Sequence, residues 1–413
     1  MKLAVSLGGP CSEMTPALID ILPPELWDCI LDCLYDDKPS LRQCSLAARN
    51  WRPRAQHHLF RSIYIDWSTC DAFTRLLESN PSLGAHVVNM EIEGAFGFFS
   101  LDRLHGITLD KWLRATPASF SHILGNLTKL DLALITIDVD LVRCVFGCLT
   151  TVTQLTLYAC ALTSFDAFTE LFFSYPRMKC LNIAWIQEWE TSQSQHTPVP
   201  QDVAIPELEV VVFTSTRDNL KVPRWLISQG LHRSIHTATF WRVEWQHFTP
   251  LSLLLAALAP TLRNLRVGWD HAVTPDDWSH PVMTPLPFLT SLTVDFHTGR
   301  AVTIPYTLFL LSRLSVPALH SLTFAITCKD AVTSQEVPWT RLAEASARIA
   351  RAAPLKSVVV SAGVRDAADG VNPVFPGRQL PIEVYELMEA RMVQAFVAQG
   401  LERMVSFVAR PEV

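Results

Sequence analysis

The chain has 413 residues, of which 49% are hydrophobic and 18% charged, and its net charge is −6. It is long enough for a large core and more than one domain, which excludes general disorder, and it has no overall basic field for holding a nucleic-acid backbone. The most apolar run, "LSLLLAALA" from Leu251 to Ala259, lies between Pro250 and Pro260 and is about half the length needed to cross a bilayer. It predicts a buried helix, with no membrane partner. Ten cysteines in apolar contexts fit reduced thiols in a cytoplasmic or nuclear compartment. At the N-terminus, residues 1–19 carry an apolar stretch broken by Gly8, Gly9 and Pro10, so a flexible lead is expected rather than a secretory signal.

The first predicted element is "ILPPELWDCILDCL", Ile21 to Leu34. Proline suits the first turn of a helix, where its missing N–H would have no partner, and Glu25 sits where the helix dipole favours an anion. Leu26, Ile30 and Leu34 then recur every four residues, with Leu31 and Cys33 widening the stripe, while Asp28 and Asp32 can stay wet. So short a helix is marginal alone, and its stripe must meet neighbouring helices or another protein. A polar break, "YDDKPS", leads to two more helical stretches, "LRQCSLAARNW" and "RPRAQHHLFRSIYI", the last with Pro53 placed for its first turn.

From there a repeat takes over. An apolar residue, two others, an apolar, one other and an apolar recur at positions 127, 152, 178, 208, 235, 262, 289, 319 and 355, spaced 25, 26, 30, 27, 27, 27, 30 and 36 residues apart. "VVNMEI" at 87 extends the set. Each copy predicts a short strand with alternate side chains inward, as Leu130 and Leu132, and the others on the opposite face, as Lys129 and Asp131. Helical segments lie between the copies: "LVRCVFGCL" from 141, "SFDAFTELFFSYP" with Ser164 as N-cap and Pro176 as stop, "VPRWLISQG" ending at Gly230, and "TPLSLLLAALAP". Strand and helix alternating at this period give an α/β fold of parallel strands joined by right-handed crossovers, either stacked as a solenoid or folded as a generic α/β domain. Pro-rich and polar inserts near 190–206 and 271–287 are expected to be loops.

The repeat resembles the leucine-rich-repeat family. The L-x-x-L-x-L-x-x-N/C-x-L signature matches best at Val152, Leu155, Leu157, Cys160 and Leu162. Elsewhere the Asn/Cys position holds Ile135, Ile186, Thr216, Val243, Asp270 and His297, so the resemblance implies an irregular repeat domain over 66–413 without a regular asparagine ladder.

Residues 20–65 resemble an F-box, in the form that opens many fungal F-box proteins. The anchors are Leu22-Pro23, Glu25-Leu26, Ile30, Leu34, Leu41, Leu46, Trp51 and Leu59-Phe60, with Ala47-Ala48 where a Val-Cys pair is common. The resemblance implies a trihelical unit that docks on the Skp adaptor, which is held by a cullin scaffold in a ubiquitin ligase. Adaptor contacts would then fall to Leu22, Pro23, Leu26, Ile30, Leu34, Leu41 and Trp51.

No nucleophile elbow, dinucleotide fingerprint, Walker loop or paired zinc ligands occur in the sequence, so no catalytic residue, metal or cofactor is expected. The expected role is that of a non-catalytic receptor holding an unknown protein substrate; a repeat scaffold without a ubiquitin role, and an enzyme whose pocket is assembled from distant residues, are the alternatives. The outward strand positions supply the candidate target contacts Asp131, Tyr158, Trp241, Arg266 and Asp295. Tyr, Trp and Arg dominate binding hot spots, although Tyr158 and Trp241 could equally pack under loops.

Overall fold

In the computed structural model, the described residues are 23–94, 103–115, 122–186, 204–214, 221–243, 248–269, 284–297, 303–328, 335, 337–364 and 382–409. The N-terminal lead, Leu22 and most of both predicted loop inserts lie outside them.

Three short helices come first: α1 (Pro24–Asp32), α2 (Lys38–Ala47) and α3 (Arg52–Arg61). Each carries a proline in its first turn, and Glu25 occupies the first turn of α1. The Asp37 side chain caps α2 by accepting from the Ser40 backbone N–H at 3.1 Å. Together they enclose a small core of their own, made of Leu31, Leu41 and Ala55, with Leu34, Cys44, Trp51 and Leu59 packed around it. It is separate from the main core of the molecule.

α3 runs directly into the first strand. The strands are β1 (Ser62–Ile65), β2 (Asn89–Glu93), β3 (Lys129–Ala133), β4 (Thr136–Ile137), β5 (Gln154–Tyr158), β6 (Ala161–Leu162), β7 (Cys180–Ala184), β8 (Val210–Thr214), β9 (Thr237–Val243), β10 (Asn264–Trp269), β11 (Ser291–His297), β12 (Ser321–Cys328), β13 (Ser357–Val364) and β14 (Val405–Ala409). β4 and β6 form a small parallel pair. The other twelve form one sheet in unbroken chain order, with every neighbouring pair parallel. Each sequence copy of the repeat therefore yields one strand. Residues 62–65, the last of the span that resembles an F-box, form a strand, so the helices end at Arg61: Ile63 and Ile65 alternate with Ser62 and Tyr64, and the run pairs in register with β2.

Register is regular across the sheet apart from one shift, between Val267 and Trp269, where β10 pairs with β9. Leu130 aligns with Leu155, Leu155 with Leu181, Leu181 with Val211, and Val211 with Ala238. All five are buried in one continuous core with the helices that follow the strands. Parallel sheets are usually apolar on both faces. Here the alternate residues are polar, half-buried or, as Ala133, Ala184 and Ala325, small and buried, while the large apolar side chains lie on the face packed by helices, as the period-two pattern predicts. The helices also follow the predicted punctuation: Phe165–Phe173 is capped by Ser164, which accepts from the Ala167 N–H at 3.1 Å, and Lys221–Ser228 gives way to Gly230 at φ 71°. The run Leu251–Ala259 lies mostly in the helix Phe248–Leu258, which buries Leu254, Leu255 and Leu258. Among the described residues no helix is long and apolar enough to cross a membrane.

Two devices stitch copy to copy. Thr151, Ser234 and Thr261 each precede a strand anchor and donate a hydroxyl to the carbonyl of the preceding anchor, Leu127, Leu208 and Ile235 respectively, at 2.7, 2.9 and 2.7 Å. After β3, β5 and β7 the chain turns through a left-handed residue, Leu134, Ala159 and Trp185, whose N–H donates to the carbonyl ending the next strand. Left-handed backbone is costly for a residue with a side chain, so its return at one repeat position shows that the turn is fixed by these strand-to-strand bonds.

Candidate functional site

Two surfaces carry the residues singled out by sequence. The first is the three-helix unit. Leu31, at the edge of the predicted stripe, is the residue of α1 that is buried, while Leu26 and Ile30 remain 48% and 44% exposed. Pro23, Cys29 and Cys33 are exposed beside them, as are Tyr35 and Leu46 elsewhere on the unit. α1 thus spends one side on the small core and leaves Leu26 and Ile30 without cover, a cost in water that a partner would relieve. Leu34 is half-buried. Leu41 differs from the expectation: it is fully buried at the centre of the small core and cannot touch a docked protein in this arrangement. The reason is its helix face, which points between α1 and α3. Trp51 is half-buried against Trp27, with ring centroids 4.5 Å apart, and serves packing as much as surface.

An ionic clamp holds α1 to α3. The Asp32 carboxylate accepts two hydrogen bonds from Arg54, both at 2.6 Å, and lies 2.7 Å from Nε2 of the buried His58. Arg54, then His58, hold the Asp32 carboxyl down at about 2. His57, next along α3, sets its ring edge-on to His86, in the turn before β2, with centroids 5.5 Å apart.

The second surface is the open face of the sheet. Alternation and register sort its side chains into rows that cross the strands. One row runs Tyr64, Glu91, Asp131, Thr156, Asn182, Val212, Thr239, Arg266, Thr293, Thr323. The next row holds Glu93, Ala133, Tyr158, Ala184, Thr214 and Trp241, and continues beyond Gly268 with Asp295 and Ala325. The predicted contacts therefore share one face but not one spot. Asp131 belongs to the N-terminal part of the sheet, beside Tyr158, while Trp241, Arg266 and Asp295 cluster on β9–β11.

In that cluster Arg266 forks onto Asp295, with Nε to Oδ2 at 2.6 Å and Nη2 to Oδ1 at 2.8 Å. The pair lowers the energy of both charges, and the Asp295 carboxylate raises the Arg266 guanidinium pKa further. Asp295 is only 5% exposed, so it is corrected from a contact residue to one that holds Arg266 in place. Gly268 lies between Trp241 and Asp295, and a Cβ there would fall 2.6 Å from Trp241 Cδ1 and 3.0 Å from Asp295 Cβ. It was missed from sequence, although a glycine inside a strand is itself a signal of close approach. Tyr158 and Trp241 are both half-buried.

At the other end, Lys129 bridges Asp131 at 2.7 Å and the Tyr64 hydroxyl donates to Glu93 at 2.5 Å. Glu91 lies in direct register with Asp131. Its carboxyl is pushed up, first by partial loss of water and then by the charges of Asp131 and Glu93, with Lys129 acting in the opposite sense. Tyr64, Glu91 and Glu93 were also missed: Tyr64 falls in the span that resembles an F-box, and the irregular spacing of 40 residues between the copies at 87 and 127 hid the alignment of Glu91 and Glu93 with β3. Cys160, in the best-matching repeat, is fully buried, donates its thiol to the Leu132 carbonyl at 3.2 Å, and is pushed up to about 12 by burial.

Among the described residues no group of three or more His, Cys, Asp or Glu side chains is placed to hold a metal ion. No protein-family model matches the chain, and no curated protein matches it either.

Proposed function

We propose that this protein is the substrate-recognition subunit of an SCF-type ubiquitin ligase, working in the cytoplasm or nucleus. In this reading residues 23–61 are an F-box that docks on the Skp adaptor and, through it, the cullin. The strands that follow form an irregular leucine-rich-repeat solenoid, and its open face holds a target protein. The single observation that carries the reading is α1: Leu26 and Ile30 stand exposed on a helix whose other side closes a separate three-helix core. A helix that only capped the repeats for solubility would show a polar outer side. Cys160 adds support for the repeat assignment, since it occupies the Asn/Cys position of the signature and bonds a neighbouring copy's backbone. The chain would then contribute proximity rather than chemistry, by raising the local concentration of target lysines beside the conjugating enzyme.

Co-purification of the full chain with the Skp adaptor tests this, next to a Leu26→Asp/Ile30→Asp variant checked by circular dichroism. Stoichiometric capture by the wild type, lost in a folded variant, is the expected result. Absence of capture by folded wild-type protein removes the ligase reading and leaves a repeat scaffold.

A further inference from the structure

The two ends of the twelve-stranded sheet are finished differently. At the β1 end the Val88 N–H donates to the Arg61 carbonyl, so the next carbonyl, that of Ser62, turns outward, where it accepts from Lys38 Nζ of α2 at 3.2 Å. A lysine laid on an edge strand guards it against a further strand. At the other end, β14 carries no such guard among the described residues. Its sequence, "VSFVA", holds no charge and no proline, and its register with β13 runs without a bulge from Val405 to Ala409.

The Val358 N–H donates to the Met404 carbonyl at 2.7 Å. By alternation Ser406 and Val408 then bond to β13, while Val405, Phe407 and Ala409 turn their N–H and C=O groups to the open edge. Among the described residues no backbone hydrogen bond reaches them on that side. The core is unfinished at the same place. Val405 and Phe407 are only half-buried, whereas Val358 and Val360, their partners in register, are fully buried. Val408 is 45% exposed on the open face. In the helix layer, Val384 and Ala395 are half-buried on one flank of the helix Ile382–Val397, and Val393 and Val397 stand exposed on the other, beside Glu386 and Glu389.

We propose that β14 pairs with β14 of a second copy of this chain, antiparallel about a two-fold axis at Phe407, joining the two sheets into one. The alternation selects this occupant. Two copies related by a two-fold axis present the same alternate residues to each other. Opposed residues exchange both of their bonds in an antiparallel pair, whereas a parallel pair needs opposite alternation on its two strands. The edge is thus complementary to itself, and an uncharged strand sets no like charges against its copy. The exposed apolar groups also span the open face, the edge and the helix layer, which is more than one added peptide strand would cover. None of this depends on the ligase reading.

The test measures the mass of the full-length chain by sedimentation from about 1 to 100 µM, with amide hydrogen exchange on the same samples. Val408→Lys and Ser406→Lys place a lysine at exposed positions of β14; Leu253→Lys, at an exposed leucine of the helix Phe248–Leu258, and the Leu26→Asp/Ile30→Asp variant are controls. Melting temperatures confirm that each is folded. The expected result is a dimer weakened about tenfold or more by either β14 lysine and unchanged in both controls. The amides of Val405 and Phe407 should exchange slowly in the dimer and faster on dilution. A wild type that is monomeric throughout, a dimer indifferent to both β14 lysines, equal loss in a control, or a dimer whose β14 amides gain no protection would each overturn the proposal. Because adaptor capture is read separately and uses α1, its failure would leave the dimer standing, and a monomeric chain would leave the ligase reading untouched.

Discussion

Arg266 and Asp295 lie on adjacent strands, one rung out of step, and meet through two parallel hydrogen bonds of 2.6 and 2.8 Å. The diagonal offset is what lets the guanidinium fork reach a nearly buried carboxylate while its own side chain stays 42% exposed.

The pair makes a prediction about charge as well as stability. Asp295→Asn removes the anion but leaves the arginine, so the open face gains a free cation. Stability should fall by about 1 kcal/mol, a modest loss because water takes up part of what Arg266 gives up. A fluorescent phosphoserine peptide should then bind more tightly than it binds the wild type. Thermal melting and anisotropy on one preparation measure both. A variant as stable as the wild type and still indifferent to the anion would mean that Arg266 finds another partner.

The strands were legible because a buried strand face must repeat its apolar residues every second position, and ten copies carry that mark from Val87 to Leu355. Which side chains share the open face followed from the same alternation. Which of them meet did not. The bidentate pair depends on register between strands 29 residues apart in sequence, and the burial of Asp295 depends on its neighbours across the sheet. Leu26 and Leu31 illustrate the same limit in the helices. Both fit the apolar stripe of α1, and only the placement of α2 and α3 decides that Leu31 goes inside. β14 was missed because "VSFVA" stands alone after the helix Ile382–Val397, without the full repeat pattern.

The clamp between α1 and α3 predicts an acid limb. Asp32 is held at about 2, below the roughly 3.9 of an unfolded aspartate, chiefly by its hydrogen bonds from Arg54 and then by His58. A depressed carboxyl stabilises the folded state above its unfolded value, and that contribution is lost as pH falls from about 4 toward 2. The difference in melting between wild type and Asp32→Asn should therefore be full near neutrality and shrink across that window. Hydrogen exchange on α1 would localise it. A difference independent of pH would mean that the asparagine changes packing rather than charge.

Leu41 and Leu26 separate holding the helical unit together from docking it. Leu41 is fully buried between the three helices, and its truncation to alanine removes a large share of a very small core. The expected cost is about 2–5 kcal/mol, borne by α1–α3. Because the main core does not include this cluster, the sheet should keep its own exchange protection while the helices lose theirs. Leu26→Ala removes a side chain that is already half in water, so its effect on stability should stay within about 0.5 kcal/mol. If the exposed stripe is the docking face, that mild variant should still bind the adaptor more weakly. A Leu41→Ala protein that melts like the wild type would show that the small core contributes little to the fold. If Leu26→Ala is strongly destabilised, its side chain packs inside and the docking face must lie elsewhere on the unit.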